Sequence, residues 1–204
     1  MKTIPNLKVK SRVFLAPMED VNDIAFRLLC KEAGAGLTYT GMIHPLSQEK
    51  LDLEDHPILQ LFSNSDKGIK EFIEKYDSLV SGWDFNLGCS AKTARKHGFG
   101  AFFSRNLNKI EKILRTIRES TSKPISVKLR KTNYTFKILK IAEKYCDAIS
   151  IHPRTIPQAY SGTPDLDFAL KVKSKTHLPV IYSGNVNQGN YKELLKQFDY
   201  VMIG

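Results

Sequence analysis

The chain has 204 residues, of which 42% are hydrophobic and 25% are charged, as expected for one soluble domain but short for two. Its net charge of +10 favours binding to polyanions such as nucleic acid, although a lysine-rich solvated surface has the same charge. No apolar run approaches the roughly 20 residues of a membrane-spanning helix, and the N-terminus lacks the apolar core of a secretory signal, so we predict a cytoplasmic protein.

Short β-rich runs alternate with amphipathic helical patterns along the chain. Strands are predicted over residues 13–17, 37–40, 58–62, 83–87, 125–129, 148–152, 180–183 and 200–203. Helices are predicted over residues 23–33, 68–76, 108–120, 134–145, 165–175 and 188–197. This alternation predicts a parallel sheet that is covered by helices on its outer face.

Eight strands is the number that closes a TIM (β/α)8 barrel. An open doubly wound sheet is the alternative, but Ala16-Pro17-Met18-Glu19 follows the first strand where a dinucleotide-binding fold has Gly-x-Gly-x-x-Gly. We therefore predict one α/β barrel domain over residues 1–204. Because the last strand ends beside Gly204, we expect a barrel without its eighth helix and without a C-terminal helical domain.

The three cysteines are widely spaced and odd in number, which argues against a disulfide framework and against a zinc site. Cys30 and Cys146 lie in helical patterns and are predicted to be small buried side chains. Cys89 differs, because it follows an apolar strand that ends abruptly in Asn86-Leu87-Gly88. This position presents the thiol at the end of the strand, where barrel enzymes place their reactive groups.

Polar and cationic residues stand at the carboxyl ends of all but the second of the predicted strands. Taken singly, Lys128 could be a solvated lysine, His152 a buried hydrogen-bonded histidine and Cys89 a core residue. Their joint placement favours an active-site rim, because a barrel assembles its site from several strands. The rim comprises Pro17, Met18, Glu19, Gln60, Asn86, Cys89, Lys128, Arg130, His152, Arg154, Ser183, Gly184, Asn185 and Gly204.

This rim suits an anionic, planar, heteroaromatic ligand. Lys128 and His152 can neutralise negative charge on a ring, and a Gln60 or Asn86 amide offers both a donor and an acceptor to ring edges. Gly184 and Gly204 follow strands seven and eight, where barrels often bind phosphate through backbone N–H groups. Flavin mononucleotide (FMN) fits this description.

The ordered motifs of the chain resemble those of the tRNA-dihydrouridine synthases, flavin-dependent barrel enzymes that reduce uridine in transfer RNA. The resemblance covers nearly the whole chain, and although each motif is weak alone, the ordered set is specific. The motifs are Ala16-Pro17-Met18, Phe26-Arg27, residues 34–36, residues 59–62, Asn86-Leu87-Gly88-Cys89 with Lys92, residues 127–130, residues 151–155, residues 158–162, residues 180–186 and residues 201–204.

The resemblance implies an enzyme that binds FMN and takes NADPH or NADH as reductant. It implies hydride transfer from FMN to C6 of uracil, with Cys89 giving the proton to C5. A cysteine thiol with the usual pKa of about 8.5 is mostly protonated at neutral pH, so it can serve as an acid. Substrate contacts are implied for Asn86, Lys92 and Arg154. The cofactor contacts are expected from Pro17, Met18, Glu19, Gln60, Lys128, His152, Ser183, Gly184, Asn185 and Gly204.

The chain departs from the family pattern in three places. Ser90 replaces the proline after the catalytic cysteine, and Ser183-Gly184-Asn185 replaces the usual Asn-Gly-Asp. The arginine that follows the Ile-Gly motif in the family is not part of this sequence. Two alternatives therefore stay open: a dihydroorotate-dehydrogenase-like barrel acting on a small pyrimidine, and a non-catalytic RNA-binding barrel that has lost flavin. The oligomeric state and the target uridine are also open.

Overall fold

A computed structural model describes residues 1–204. Its eight strands form one sheet of parallel pairs in the order β1-β8-β7-β6-β5-β4-β3-β2. A bridge between Phe14 and Leu37 joins the two ends of the sheet, and the predicted TIM barrel is thereby confirmed. The strands are β1 Val13–Leu15, β2 Tyr39–Ile43, β3 Ile58–Leu61, β4 Gly82–Leu87, β5 Ile125–Arg130, β6 Ala148–His152, β7 Val180–Ser183 and β8 Tyr200–Ile203.

Seven helices connect the strands, and β2 and β3 are joined by a loop without a helix. No helix combines the length and the apolar character that crossing a membrane requires. Short 3-10 turns occupy Asp77–Leu79 and Gly100–Phe103. The helices are α1 Ile24–Glu32, α2 Ile69–Tyr76, α3 Lys92–His97, α4 Leu107–Ser120, α5 Thr135–Tyr145, α6 Leu166–Ser174 and α7 Tyr191–Gln197.

Three differences between predicted and observed elements have an identifiable reason. β1 ends at Leu15 and not at residue 17, because Pro17 has no N–H to donate to a neighbouring strand. β2 starts and ends later than residues 37–40, and its register against β3 shifts between Tyr39 and Met42. Helix α3 escaped prediction because it is only six residues long and buries a single side chain, Ala94.

On β6, β7 and β8, alternate residues belong to two different apolar clusters, whereas the inward positions of β4 and β5 are polar. On β6, Ile149 and Ile151 belong to the larger cluster, which lies between the sheet and the helices. Ala148 belongs to a second cluster of ten residues that fills the barrel interior together with Ile181 and Tyr200. Ile4 of the N-terminal segment joins this inner cluster, so one end of the barrel is covered by apolar packing. The carboxyl ends of the strands are left for polar groups.

Gly36 allows the barrel to close between β1 and β2. Its N–H donates to the carbonyl of Val13, and the Leu15 N–H donates to the carbonyl of Leu37. A Cβ atom on residue 36 would lie 2.0 Å from the Ser11 carbonyl oxygen, a distance that no side chain can adopt. The approach of these two chain segments therefore requires glycine.

Candidate active site

A cavity of about 460 Å³ opens at the carboxyl ends of the strands, within the usual range of about 300–1,000 Å³ for small-molecule sites. Cys89 and Lys128 lie on the same cavity, as do all the other residues predicted for the site except Lys92. These are Pro17, Met18, Glu19, Gln60, Asn86, His152, Arg154, Ser183, Gly184, Asn185 and Gly204. The barrel thus brings together residues that are almost 190 positions apart in the sequence.

The turn after β4 holds Cys89 at the edge of this cavity. The Asn86 side-chain carbonyl accepts hydrogen bonds from the N–H groups of Gly88 (3.0 Å) and Cys89 (2.9 Å). From the other side, the Ala101 N–H donates to the Cys89 carbonyl at 2.9 Å. Because these bonds fix the backbone, the partly exposed thiol keeps a defined position on the cavity wall.

A series of buried hydrogen bonds that runs from Asn86 to Asp84 holds the Asn86 side chain in place. Its Nδ2 donates to Gln60 Oε1 at 2.8 Å, and Gln60 Nε2 donates to an Asp84 carboxylate oxygen at 2.6 Å. The Ser126 hydroxyl donates to the other Asp84 oxygen. Since a carboxylate only accepts and a backbone N–H only donates, the two ends of the series determine which way both amides face.

Positive charge dominates the cavity. The Lys128 ammonium forms no ion pair or hydrogen bond with the protein, and Asp84 is the one nearby carboxylate that affects its pKa. Burial lowers the pKa of Lys128, and Asp84 offsets part of that effect. Burial, followed by the charges of Lys128, Arg130 and Arg154, lowers the pKa of His152 to about 3, so the imidazole is neutral at physiological pH. This surplus of cations suits an anionic ligand.

Unused backbone donors lie at the ends of β7 and β8. The N–H groups of Gly184 and Gly204 donate to no carbonyl of the protein. Gly184 has a φ of +120°, and a Cβ atom there would lie 3.1 Å from His152 Cδ2. Free N–H groups that a side chain would obstruct are the type of donor that holds a phosphate.

Lys92 lies outside the cavity, at the start of α3. This helix begins three residues after Cys89 and exposes Lys92, Arg95 and Lys96 to solvent. It therefore places a cluster of cations next to the cavity mouth, where a polyanion that reaches Cys89 would pass.

Comparison with known proteins assigns the chain to a family. The family model for dihydrouridine synthase (Dus) matches residues 14–204. The chain belongs to the dihydrouridine synthase family. A probable tRNA-dihydrouridine synthase of Helicobacter pylori is 35% identical, over 98% of this chain and 67% of that protein. tRNA-dihydrouridine synthase B of Pasteurella multocida is 28% identical over the same shares of the two chains.

Solved structures show that the fold extends beyond the dihydrouridine synthases. A mandelate oxidase structure superposes with a TM-score of 0.64 at 13% identity, covering 100% of this chain and 71% of the oxidase. A chimera of (S)-mandelate dehydrogenase superposes with a TM-score of 0.62 at 13% identity, over 95% of this chain and 66% of that one. At such low identity, the superpositions establish the barrel fold alone.

Three residues that line the cavity or support its lining were not among the residues predicted to bind a ligand. Asp84 could have been found, because it precedes Asn86 by two positions in a strand and must share its face. Arg130 was recognised only as a strand-end cation. Tyr160, which is 77% exposed, lines the cavity mouth with its ring centroid 5.8 Å from the Arg130 guanidinium carbon.

The prediction that Cys30 is buried was wrong, since it lies partly exposed on α1.

Replacing Asp84 with asparagine is expected to stabilise the flavin-free protein at high pH. Burial raises the pKa of Asp84 to about 7, above its unfolded value, so folding is disfavoured as the pH rises through that interval. Asparagine can still accept from Gln60 and can donate to Ser126. The rise from 3.8 to about 7 already includes the opposing charge of Lys128, so at about 1.4 kcal/mol per pKa unit we expect a gain on the order of 4 kcal/mol at pH 8 that vanishes towards pH 4. Urea unfolding of both proteins between pH 4 and pH 8 measures this difference in the free energy of unfolding. An Asp84→Asn variant that is less stable than wild type at pH 8 would contradict the prediction.

Proposed function

We propose that the protein reduces uridines of tRNA to 5,6-dihydrouridine in the cytoplasm, with FMN as cofactor, NADPH or NADH as reductant and Cys89 as proton donor. One observation carries the proposal. In a member of the dihydrouridine synthase family, a free thiol and an unpaired ammonium line one cationic cavity of a size that suits a small ligand.

The residues present fit FMN. The Lys128 ammonium has no protein partner, so a negatively charged ring system would supply one. Gln60 offers an amide edge to ring polar atoms, and neutral His152 offers an N–H donor. The free N–H groups of Gly184 and Gly204, with Ser183 and Asn185 beside them, would hold the phosphate. Pro17, Met18 and Glu19 complete the wall at the end of β1.

A bound FMN would supply the hydride for C6 of the uracil ring. The chain's own residues donate the proton, stabilise negative charge and position the reacting groups. Cys89 donates a proton to C5, where negative charge develops, and Lys128 stabilises negative charge in the cavity. Asn86 holds the loop that positions the thiol and contacts the uracil from the cavity wall. This division places the proton donor and the main positive charge on neighbouring strands.

The surface around the cavity supports a tRNA substrate. A uridine in folded tRNA must leave its stack to reach the cavity, at a cost of roughly a few kcal/mol. Phosphate contacts from Lys92 and the other exposed cations of α3 offset this cost. The excess of positive charge, +10 over the whole chain, acts in the same direction.

Purified protein is expected to be yellow, or to become so when FMN is added. The flavin absorbance should bleach when NADPH or NADH is supplied, and unmodified tRNA should restore it while dihydrouridine forms. Absorbance spectra and nucleoside mass spectrometry measure the two steps. A protein that binds no FMN would favour an RNA-binding barrel, and oxidation of dihydroorotate without action on tRNA would favour a small-pyrimidine enzyme.

A further inference from the structure

The Arg154 side chain makes almost all of its possible hydrogen bonds to other groups of the protein. It follows β6 and is only 3% exposed. Its Nε donates to the Ser161 carbonyl at 3.0 Å, and its Nη2 donates to the Gly162 carbonyl at 2.6 Å and to Asn185 Oδ1 at 2.9 Å. Its Nη1 lies 3.0 Å from His152 Nε2. A guanidinium has five N–H donors, so four are used and the pair needed for a bidentate phosphate contact is missing.

The contact with Arg154 determines the tautomer of His152. An arginine can only donate, so His152 Nε2 must accept, and a neutral imidazole then carries its proton on Nδ1. Nδ1 has no partner within the protein. The groups that face His152 are Lys128 and Arg130 from β5, Arg154 and Tyr160 from the following loop, and Gly184 from the β7 side. The ring therefore presents an N–H donor to whatever fills the cavity.

The same arginine ties down the loop between β6 and α6. It holds the carbonyls of Ser161 and Gly162 at one end of the loop and Asn185, after β7, at the other side of the cavity mouth. Tyr160 stands at the tip of this loop with 77% of its surface exposed. Arg130 holds the earlier part of the same loop, because its Nη1 donates to the carbonyls of Thr155 (3.1 Å) and Ala159 (2.7 Å). The bonds of Arg154 therefore restrain the part of the loop that follows Tyr160.

We propose that Arg154 is a positioning residue that clamps the part of the β6–α6 loop that follows Tyr160 and holds His152 as the Nδ1–H tautomer, without contacting RNA. This assignment departs from the substrate contact that the family resemblance implies for Arg154. Its RNA part rests on the function proposed above, whereas the clamp and the tautomer are properties of the chain alone. The two parts can therefore be tested separately.

The first experiment uses the flavin-free protein. In Arg154→Met, which keeps the length of the side chain and removes its donors, chymotrypsin should cut after Tyr160 several times faster than in wild type. The titration midpoint of His152, followed by NMR of ¹⁵N-histidine with His152→Gln for assignment, should rise by about one pH unit or more, because a donor and a charge are lost. If both cleavage and midpoint stay at wild-type values, the clamp is overturned.

Two companion variants keep this experiment decisive if Arg154→Met folds poorly. Arg154→Lys retains the charge, but a single ammonium cannot reproduce the guanidinium fork, so it should also accelerate cleavage at Tyr160. Asn185→Gly removes one of the four bonds and tolerates the φ of +53° at that position. It should give a smaller acceleration. Wild-type cleavage in both variants would overturn the proposal.

The second experiment asks whether Arg154 contacts RNA. Affinity for an unmodified tRNA transcript is measured against salt concentration, with Arg115→Gln on the outer helix α4 as the control for loss of one charge. A lost phosphate contact lowers the slope of log K against log salt by about 0.7–0.9. We expect the slope of Arg154→Met to match the control. A slope lower by that amount, or full recovery of affinity in Arg154→Lys, would overturn the assignment. If wild type binds no tRNA, the proposed function fails while the first experiment still decides the clamp.

Discussion

Replacing Cys89 with alanine is expected to slow dihydrouridine formation by about 10²–10⁴-fold, the usual contribution of a positioned general acid. The turn that carries residue 89 is fixed by backbone bonds to Asn86 and Ala101, which alanine keeps. Flavin binding and its reduction by NADPH should therefore remain within a factor of two or three. The loss is confined to the step in which tRNA is the acceptor.

Single-turnover measurements separate these two steps. Flavin bleaching by NADPH reports the first, and flavin reoxidation by unmodified tRNA without oxygen reports the second. Cys30→Ala is the matched control, because it removes another partly exposed thiol on α1, away from the cavity. Wild-type reoxidation in Cys89→Ala, or an equal loss in Cys30→Ala, would remove the role assigned to Cys89.

Replacing Asp55 with alanine is expected to lower the free energy of unfolding by about 3–5 kcal/mol, because it leaves a buried guanidinium unpaired. Arg27 of α1 donates to the Asp55 carboxylate from Nε and from Nη2, the latter at 2.6 Å, and the Asp55 side chain is fully buried. Lys31 and Thr38 also contact this carboxylate. The cluster attaches the long β2–β3 loop to α1, so its loss should also loosen that loop.

Urea unfolding at pH 7 tests this, with Glu193→Ala as control. Glu193 pairs with Lys196 at 2.7 Å, but the two side chains are 65% and 72% exposed, so a change of about 0–1 kcal/mol is expected. Burial would raise the pKa of Asp55, but the bonds and charges of Arg27 and Lys31 outweigh it and lower the pKa. Its stabilisation is therefore present above the unfolded pKa and lost as pH falls through the folded value. Equal effects of the two variants at pH 7 would contradict the prediction.

Local patterns predicted the elements that bury apolar residues at regular intervals. β6, β7 and β8 have the predicted bounds, because each is an apolar run with a clear stop. Helix α3 was not predicted, because a six-residue polar helix has no apolar periodicity. The β2 bounds were wrong because a register shift against β3, a long-range feature, decides where that strand pairs. Propensity carries little information where pairing partners set the boundaries.

For the candidate site, too, the sequence predicted some features and the tertiary structure decided others. The sequence by itself determined the eight-fold alternation, the barrel and the residues at the strand ends, because burial and period are local properties. Only the tertiary structure decided what those residues contact. Arg154 donates its hydrogen bonds to other groups of the protein, and Asp84 accepts from Gln60, which in turn holds Asn86. Lys128 has no hydrogen-bond or ion-pair partner. Hydrogen-bond partners come from strands distant in the chain, and no local pattern encodes which donor meets which acceptor.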